Sequence, residues 1–111
     1  MSNSLYVVQT NPEPGREREF NAWYTDQHLG DVLRVPGFVS AQRYVRSSTQ
    51  RDAAASAYEF EYLALYEIEG DSRFALDALD AAVADGLYLS PSMRPGRRSI
   101  FFDPSTDSVT G

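Results

Sequence analysis

The chain has 111 residues and a formal net charge of −6, with 16 acids against 10 bases, a hydrophobic fraction of 42% and an aromatic fraction of 13%. That length suits one domain with one core, and the acidic balance argues against nucleic acid as a partner, because phosphate binding is driven by clustered positive charge. There is no Cys, no Lys and a single His, which excludes thiol chemistry and disulfides, Schiff-base and phosphate-loop lysines, and the two-His ligand sets of zincins and non-haem iron oxygenases within one subunit.

In chain order, residues 4–10 (SLYVVQT) are β-branched and aromatic and predict a strand, ended by the turn-prone Asn11-Pro12-Glu13-Pro14-Gly15. A helix is expected from about residue 15. Glu17 and Glu19 lie in its first turns, where the helix dipole favours acids. Phe20, Trp23, Tyr24 and Gln27 follow helical spacing, and Gly30 is the expected stop. Asp31 to Val35 adds a further turn before Pro36-Gly37 redirects the chain.

Residues 38–46 (FVSAQRYVR) predict a second strand, and the Ser/Thr/Gln/Ala-rich residues 47–57 a mobile loop. Residues 58–68 (YEFEYLALYEI) predict a third strand closed by Glu69-Gly70, with Glu59, Glu61, Glu67 and Glu69 marking an exposed edge and turn. Asp71 or Ser72 can cap a second helix whose apolar face is Leu76, Leu79, Val83 and Leu87. A loop follows over 87–97. Its basic cluster with the next residue, Arg94, Arg97 and Arg98, is expected to be solvated. Residues 98–102 (RSIFF) predict the last strand. The polar tail is expected to fray, so that 1–103 form the single domain and 104–111 a flexible C-terminal tail.

The element order β-α-β-β-α-β implies an α+β, ferredoxin-like fold, a four-stranded antiparallel sheet with two helices on one face. Both faces of the strands carry bulk: Leu5 and Val7 against Tyr6 and Val8, Leu63 and Leu65 against Phe60, Tyr62, Ala64, Tyr66 and Ile68, and Phe101 against Ile100 and Phe102. A sheet wet on one side alternates apolar and polar residues. The open face should therefore be covered, and the simplest cover is a second copy packed sheet to sheet about a twofold axis, giving a homodimeric barrel. MSNSLYVVQT has no signal-peptide character, and the longest apolar run, Tyr62 to Tyr66, is too short to cross a bilayer. The expectation is a soluble cytoplasmic protein without membrane or nucleic-acid partners.

Residues 19–46 read EFNAWYTDQHLGDVLRVPGFVSAQRYVR. This stretch resembles the EthD-like branch of the dimeric α+β barrel superfamily. The elements that carry the resemblance are Glu19-Phe20-Asn21, Trp23-Tyr24, His28-Leu29, Pro36-Gly37-Phe38 and Ser40-Ala41-Gln42-Arg43-Tyr44. Members commonly carry Pro two residues after the His, where this chain has Gly30. The resemblance implies the barrel fold and a small-molecule site. Relatives in the wider superfamily isomerise lactones, cyclise or decarboxylate aromatic and polyketide-derived compounds, or oxygenate quinol-like substrates without a cofactor. Others are accessory or stress-related proteins.

His28 is the first candidate for chemistry. It lies four residues after Tyr24 and eight after Phe20, on the inward face of the helix. Imidazole titrates near neutral pH and can move a proton either way. The plainer reading is a His in the last helical turn, favoured by the dipole. Tyr24 could bond His28 or a substrate oxygen, or simply fill the core. Asp31 could orient the imidazole if the helix runs through Gly30, whereas Asp26 points elsewhere. Trp23, Tyr6, Tyr66 and Phe38 are candidate substrate-binding walls, although alternation alone does not say which strand face looks at the helices. Asn21, Trp23 and His28 invite comparison with the Asn-Trp-His set of haem-degrading monooxygenases. Those residues come from separate elements, and here Asn21 and Trp23, two apart on one helix, do not converge.

The reading these residues favour is a cofactor-free enzyme of lyase or isomerase type. It would use proton transfer on an oxygenated cyclic or aromatic metabolite, with His28 as acid or base and Tyr24 and Asp31 assisting. No cofactor or metal is expected. The rivals are a non-catalytic ligand-binding or stress-response protein, and a cofactor-independent oxygenase or oxygenase accessory protein.

Overall fold

Residue alternation in the first strand sorts its side chains into two sets. Tyr6, Val8 and Thr10 are buried while Leu5, Val7 and Gln9 are only partly covered, so the even-numbered residues face the helices. The structure, a computed structural model, describes residues 2–111 apart from the side chains of residues 55 and 56. The expected domain begins at residue 1, which lies outside the described residues. Strands β1 (Ser4–Thr10), β2 (Phe38–Val45), β3 (Tyr62–Ile68) and β4 (Arg98–Phe102) form one antiparallel sheet in the order β2-β3-β1-β4. Between β1 and β2 run α1 (Glu17–Trp23), a π-helical turn (Tyr24–His28) and α2 (Leu29–Leu33), one behind another; α3 (Ser72–Ala84) joins β3 to β4. This is the expected ferredoxin-like arrangement. Among the described residues no helix is long and apolar enough to cross a membrane.

The core lies between sheet and helices. Tyr6, Val8, Phe38, Ala64, Tyr66 and Ile68 supply the sheet side, and Phe20, Trp23, Tyr24, Val32 and Ala75 the helical side. Strand β2 reaches this face at both ends through a bulge. Phe38 pairs with Ile68 and Ser40 with Glu67, an interruption that adds one residue to β2. In an unbroken strand Phe38 and Arg43, five apart, would face opposite ways. The bulge turns both inward.

Three expected boundaries shift. The first helix does not stop at Gly30, whose φ is not positive, but continues to Leu33; Pro36 then makes continuation unfavourable. The third strand begins at Tyr62 rather than residue 58. Asn11 takes up the preceding segment, its Nδ2 donating to the Glu59 carbonyl at 2.8 Å and its Oδ1 accepting from the Glu61 amide at 2.9 Å. The loop expected over 47–57 contains a short 3-10 turn, Ala53–Ala57.

Helix α3 is capped by Asp71, which accepts from the Arg73 amide at 2.9 Å. It ends before Leu87: Gly86 adopts φ +105, and the Leu87 amide donates to Ala82 at 3.0 Å, the hydrogen bond of a Schellman end. Of the expected line Leu76, Leu79, Val83 and Leu87, Leu79 and Leu87 pack against the core, but Val83 is exposed and the rest of the inward face is Ala75, Ala78 and Ala82, with Ala75 alone fully buried. Small residues win there because the helix approaches the chain closely at Gly37, where a Cβ would lie 2.8 Å from Ala75 Cβ.

Gly37 has φ +97 and no space, while Gly30 has ordinary helical dihedrals and nothing within 4 Å of where a Cβ would stand. In denaturant titrations Gly37→Ala should lose about 2 kcal/mol or more, from backbone strain plus overpacking. Gly30→Ala should gain about 0.5–1 kcal/mol, from helix propensity.

Candidate active site

The Leu29 amide donates to the Tyr24 carbonyl, five residues back, and this defines the π turn. A π turn places residues five apart in line, where an α-helix aligns those three or four apart. Trp23 and His28 are five apart, and their rings stack with centroids 4.5 Å apart and planes 28° apart. Tyr24 meets the same imidazole edge-on, at 4.9 Å and 88°. The ring of His28 is therefore held between two aromatic neighbours of its own helix. Its Nδ1 is buried without a hydrogen-bond partner among the described residues.

His28 and Tyr24 line a cavity of about 70 Å³ between helix and sheet. Tyr6, Val8 and Tyr66 form its floor; Leu79, Asp80 and Val83 of α3 face them; Leu87, Leu89, Met93 and Arg97 come from the loop before β4. The space suits a few water molecules. A hollow of about 460 Å³ beside Arg46, Ser47 and Asp52 is larger, but those residues are exposed and it contains no buried titratable group.

Burial dominates the electrostatics. It lowers the His28 pKa from 6.5 to about 4; the Arg97 charge acts in the same direction and Asp31 opposes them. The imidazole is neutral at neutral pH. Burial likewise raises the Tyr24 and Tyr66 phenols, keeping both protonated. The two phenols sense each other, yet the Tyr66 hydroxyl has no hydrogen bond of good geometry and is buried. A buried unpaired polar group costs roughly 1–3 kcal/mol, and both His28 and Tyr66 line a cavity in which a water molecule or a ligand group can satisfy them.

The remaining sequence candidates fall on either side of this cavity. Tyr6 and Tyr66 line it. Trp23 backs the imidazole without lining the space, and Phe38 packs behind the floor, 6.1 Å from Tyr6 and 5.9 Å from Tyr66. The helix does carry Asp31 past Gly30, but its carboxylate accepts from Arg34 Nη1 at 2.9 Å and from Gln27 Nε2 at 3.5 Å. It influences His28 through charge alone. Asn21 donates to the Tyr62 hydroxyl at 3.2 Å, away from His28. Among the described residues no group of three or more His, Asp or Glu side chains is placed to hold a metal ion.

Two arginines enter that sequence reasoning missed. Arg97 is exposed, as expected of its cluster, but it also lines the cavity mouth, while its neighbour Arg98 pairs with Glu59 at 3.1 Å. Arg43, turned inward by the bulge, sits over the rings of Tyr24, Tyr62 and Phe20 at 4.8, 5.0 and 5.4 Å and donates to Thr25 Oγ1 at 3.0 Å. A cation there supports Tyr24 from the side away from the cavity. Sequence alternation places Arg43 on the wrong face, and a loop arginine carries no local signal of where it points.

No family model matches the chain, and no curated protein matches it. Solved structures do. The chain is similar to the haem degrader MhuD of Mycobacterium tuberculosis, solved with two haems in its active site, at 18% identity and a TM-score of 0.65, covering 96% of this chain and 99% of that one. It is similar to an EthD family protein of Bacillus halodurans at 13% identity and a TM-score of 0.61, covering 94% and 99%. It is also similar to SnoaB, a cofactor-independent oxygenase of Streptomyces nogalater, at 14% identity and a TM-score of 0.58, covering 96% of each. At these identities the likeness is one of fold. The shared fold is the ferredoxin-like α+β fold that the resemblance in residues 19–46 implied, and an EthD family protein is among the chains that have it.

A buried neutral imidazole links stability to pH. Above pH 6.5 His28 is neutral in both folded and unfolded chains, and its contribution is complete. Between 6.5 and about 4 the unfolded chain binds a proton that the folded one refuses, so stability falls as the pH falls, by about 3 kcal/mol in all. Below about 4 both states are protonated and the loss stops growing. Denaturation of wild type and His28→Gln across this window should show the difference between them narrowing towards acid. A constant difference would mean that the imidazole titrates normally.

Proposed function

We propose that the cavity binds a small oxygenated cyclic or aromatic metabolite and that His28 takes a proton from it without a cofactor. One juxtaposition supports this most: a neutral imidazole shares a cavity wall with two phenols that burial keeps protonated. A neutral imidazole begins the reaction as a base. The Tyr24 and Tyr66 hydroxyls are donors for the oxygen on which negative charge develops. The imidazolium so formed, in a site that disfavours it, readily returns its proton to another position of the same substrate. Isomerisation, cyclisation, dehydration and decarboxylation all fit that cycle. Trp23 holds the ring in place by stacking, and Asp31 favours the imidazolium through space. A ring-sized ligand needs more room than about 70 Å³. Leu89 at the rim, 38% exposed and on the loop before β4, is the side chain free to swing aside.

A second reading keeps the same first step. Proton removal from a quinol-like phenol leaves an electron-rich ring able to react with oxygen directly, and the shared fold with a cofactor-independent oxygenase favours it. In a screen of lactones, enolisable cyclic ketones and quinols, His28→Ala should lower kcat/KM about 10²- to 10⁴-fold, with ligand binding retained. Oxygen uptake that depends on His28 selects the oxygenase. Undiminished turnover in the variant rules out both, and binding without turnover in wild type leaves a ligand carrier.

We also propose that a second copy covers the open sheet face. Cross-strand partners Leu5 and Phe102, and Val7 and Ile100, stand side by side there with Leu63 and Leu65. Ile100 is 46% and Phe102 53% exposed, so the described residues leave them largely uncovered. At about 25 cal/mol per Å² of apolar surface, covering these side chains contributes several kcal/mol to association. Sedimentation at micromolar concentration should give a dimer, and Ile100→Asp should shift it to monomer; a wild-type monomer would sink the barrel.

A further inference from the structure

Four of the ten arginines are neutralised by ion pairs among the described residues. Arg16, Arg34, Arg73 and Arg98 form ion pairs with Glu19, Asp31, Asp77 and Glu59. Arg97 forms no ion pair and no side-chain hydrogen bond among the described residues, although it lines the cavity. Asp80, across the cavity on α3, lines it too but does not reach Arg97. Of the arginines without an ion pair, Arg97 is the one that lines the cavity, and it sets a positive charge at a mostly apolar opening in a chain of net charge −6.

The backbone that carries Arg97 is pinned. Ser90 and Ser92, both buried, join through their hydroxyls at 2.6 Å. The Ser92 carbonyl accepts from the Glu13 amide at 2.7 Å, and the Arg94 amide donates to the Asn11 carbonyl at 2.9 Å. Gly96, at φ +101, makes the last turn, and β4 begins one residue after Arg97. A loop fastened at these points holds the Arg97 backbone beside the cavity mouth. A positioned backbone beneath a free guanidinium is what a recognition group at a cavity mouth requires.

We propose that the ligand is a ring monocarboxylate, its carboxylate against Arg97 and its apolar ring among Leu79, Leu87 and Met93. This rests on the reading of the cavity as a ligand site and adds the class of ligand. Arg97 is then a specificity-determining residue. A guanidinium matches a carboxylate in shape and charge. Asp80 disfavours a second negative group, which selects a monoanion over a dicarboxylate. The far end of the ring lies towards His28 and the tyrosines, where a ring hydroxyl or carbonyl finds its partners. A carboxylate beside Arg97 also screens the charge that disfavours the imidazolium, so a bound anion makes His28 a stronger base.

The test uses benzoate, its neutral isostere benzamide and the dianion phthalate, followed by calorimetry and by the His28 and Tyr ring resonances. Wild type should prefer benzoate over benzamide by about tenfold, with phthalate weaker than benzoate. Arg97→Gln should abolish that preference by weakening benzoate alone, and Arg97→Lys should keep part of it. Asp80→Asn should restore phthalate. Benzoate should raise the His28 pKa in wild type and not in Arg97→Gln. Equal binding of benzoate and benzamide, or a preference that survives Arg97→Gln, overturns the anion assignment and leaves the cavity reading standing. If neither probe moves the His28 and Tyr resonances at millimolar concentration, both fall.

Discussion

The hydrogen bond from the Leu29 amide to the Tyr24 carbonyl, one residue further back than an α-helix allows, sets the geometry on which the site depends. In regular helix Trp23 would sit about 140° round the axis from His28. The wider turn brings the indole over the imidazole while Tyr24, four residues away, keeps its own contact. Two aromatic rings from one helix then confine a third, and no other element is needed to orient it. A π turn spaces its residues less favourably than an α turn. Its persistence here rests on the burial of Phe20, Trp23 and Tyr24 against the sheet, and on Arg43 lying over the Tyr24 ring.

The same burial that stabilises the turn determines the protonation of the cavity. Removing imidazole and phenol from water disfavours their charged forms, so the three titratable groups Tyr24, His28 and Tyr66 are all neutral. A neutral base beside two neutral donors is suited to moving a proton within one substrate. The charges lie at the opening instead, with Arg97 and Asp80 where water can solvate them. In the proposed function, an uncharged interior with charged groups at its mouth separates recognition from proton transfer. Asp31, tied to Arg34, contributes only at a distance.

The two faces of the sheet serve different ends. The even-numbered residues of β1 and β3 make the core and the cavity floor. The odd-numbered residues, with Ile100 and Phe102 of β4, form an apolar surface that the helices leave uncovered. The pairing register places these residues next to one another, so they form a continuous patch rather than scattered exposed side chains.

Much of this was legible in the sequence, because the strong signals were local. β-branched and aromatic runs marked β1, β2 and β4, Asp71 marked a helix start, and residues 19–46 carried the EthD-like resemblance. His28 and Tyr24, four apart, already shared a face. What tertiary structure decided depended on packing between distant segments. Asn11 shortened β3 by bonding residues 59–61, and the approach of Gly37 to Ala75 rotated the buried face of α3. The bulge in β2 carried Arg43 to the inner face, and a pinned loop brought Arg97 to the cavity. Composition and spacing determine which elements form, because propensity and alternation act over a few residues. They do not determine where a bulge adds a residue or where a loop side chain points, because those are settled by contacts between parts of the chain far apart in sequence.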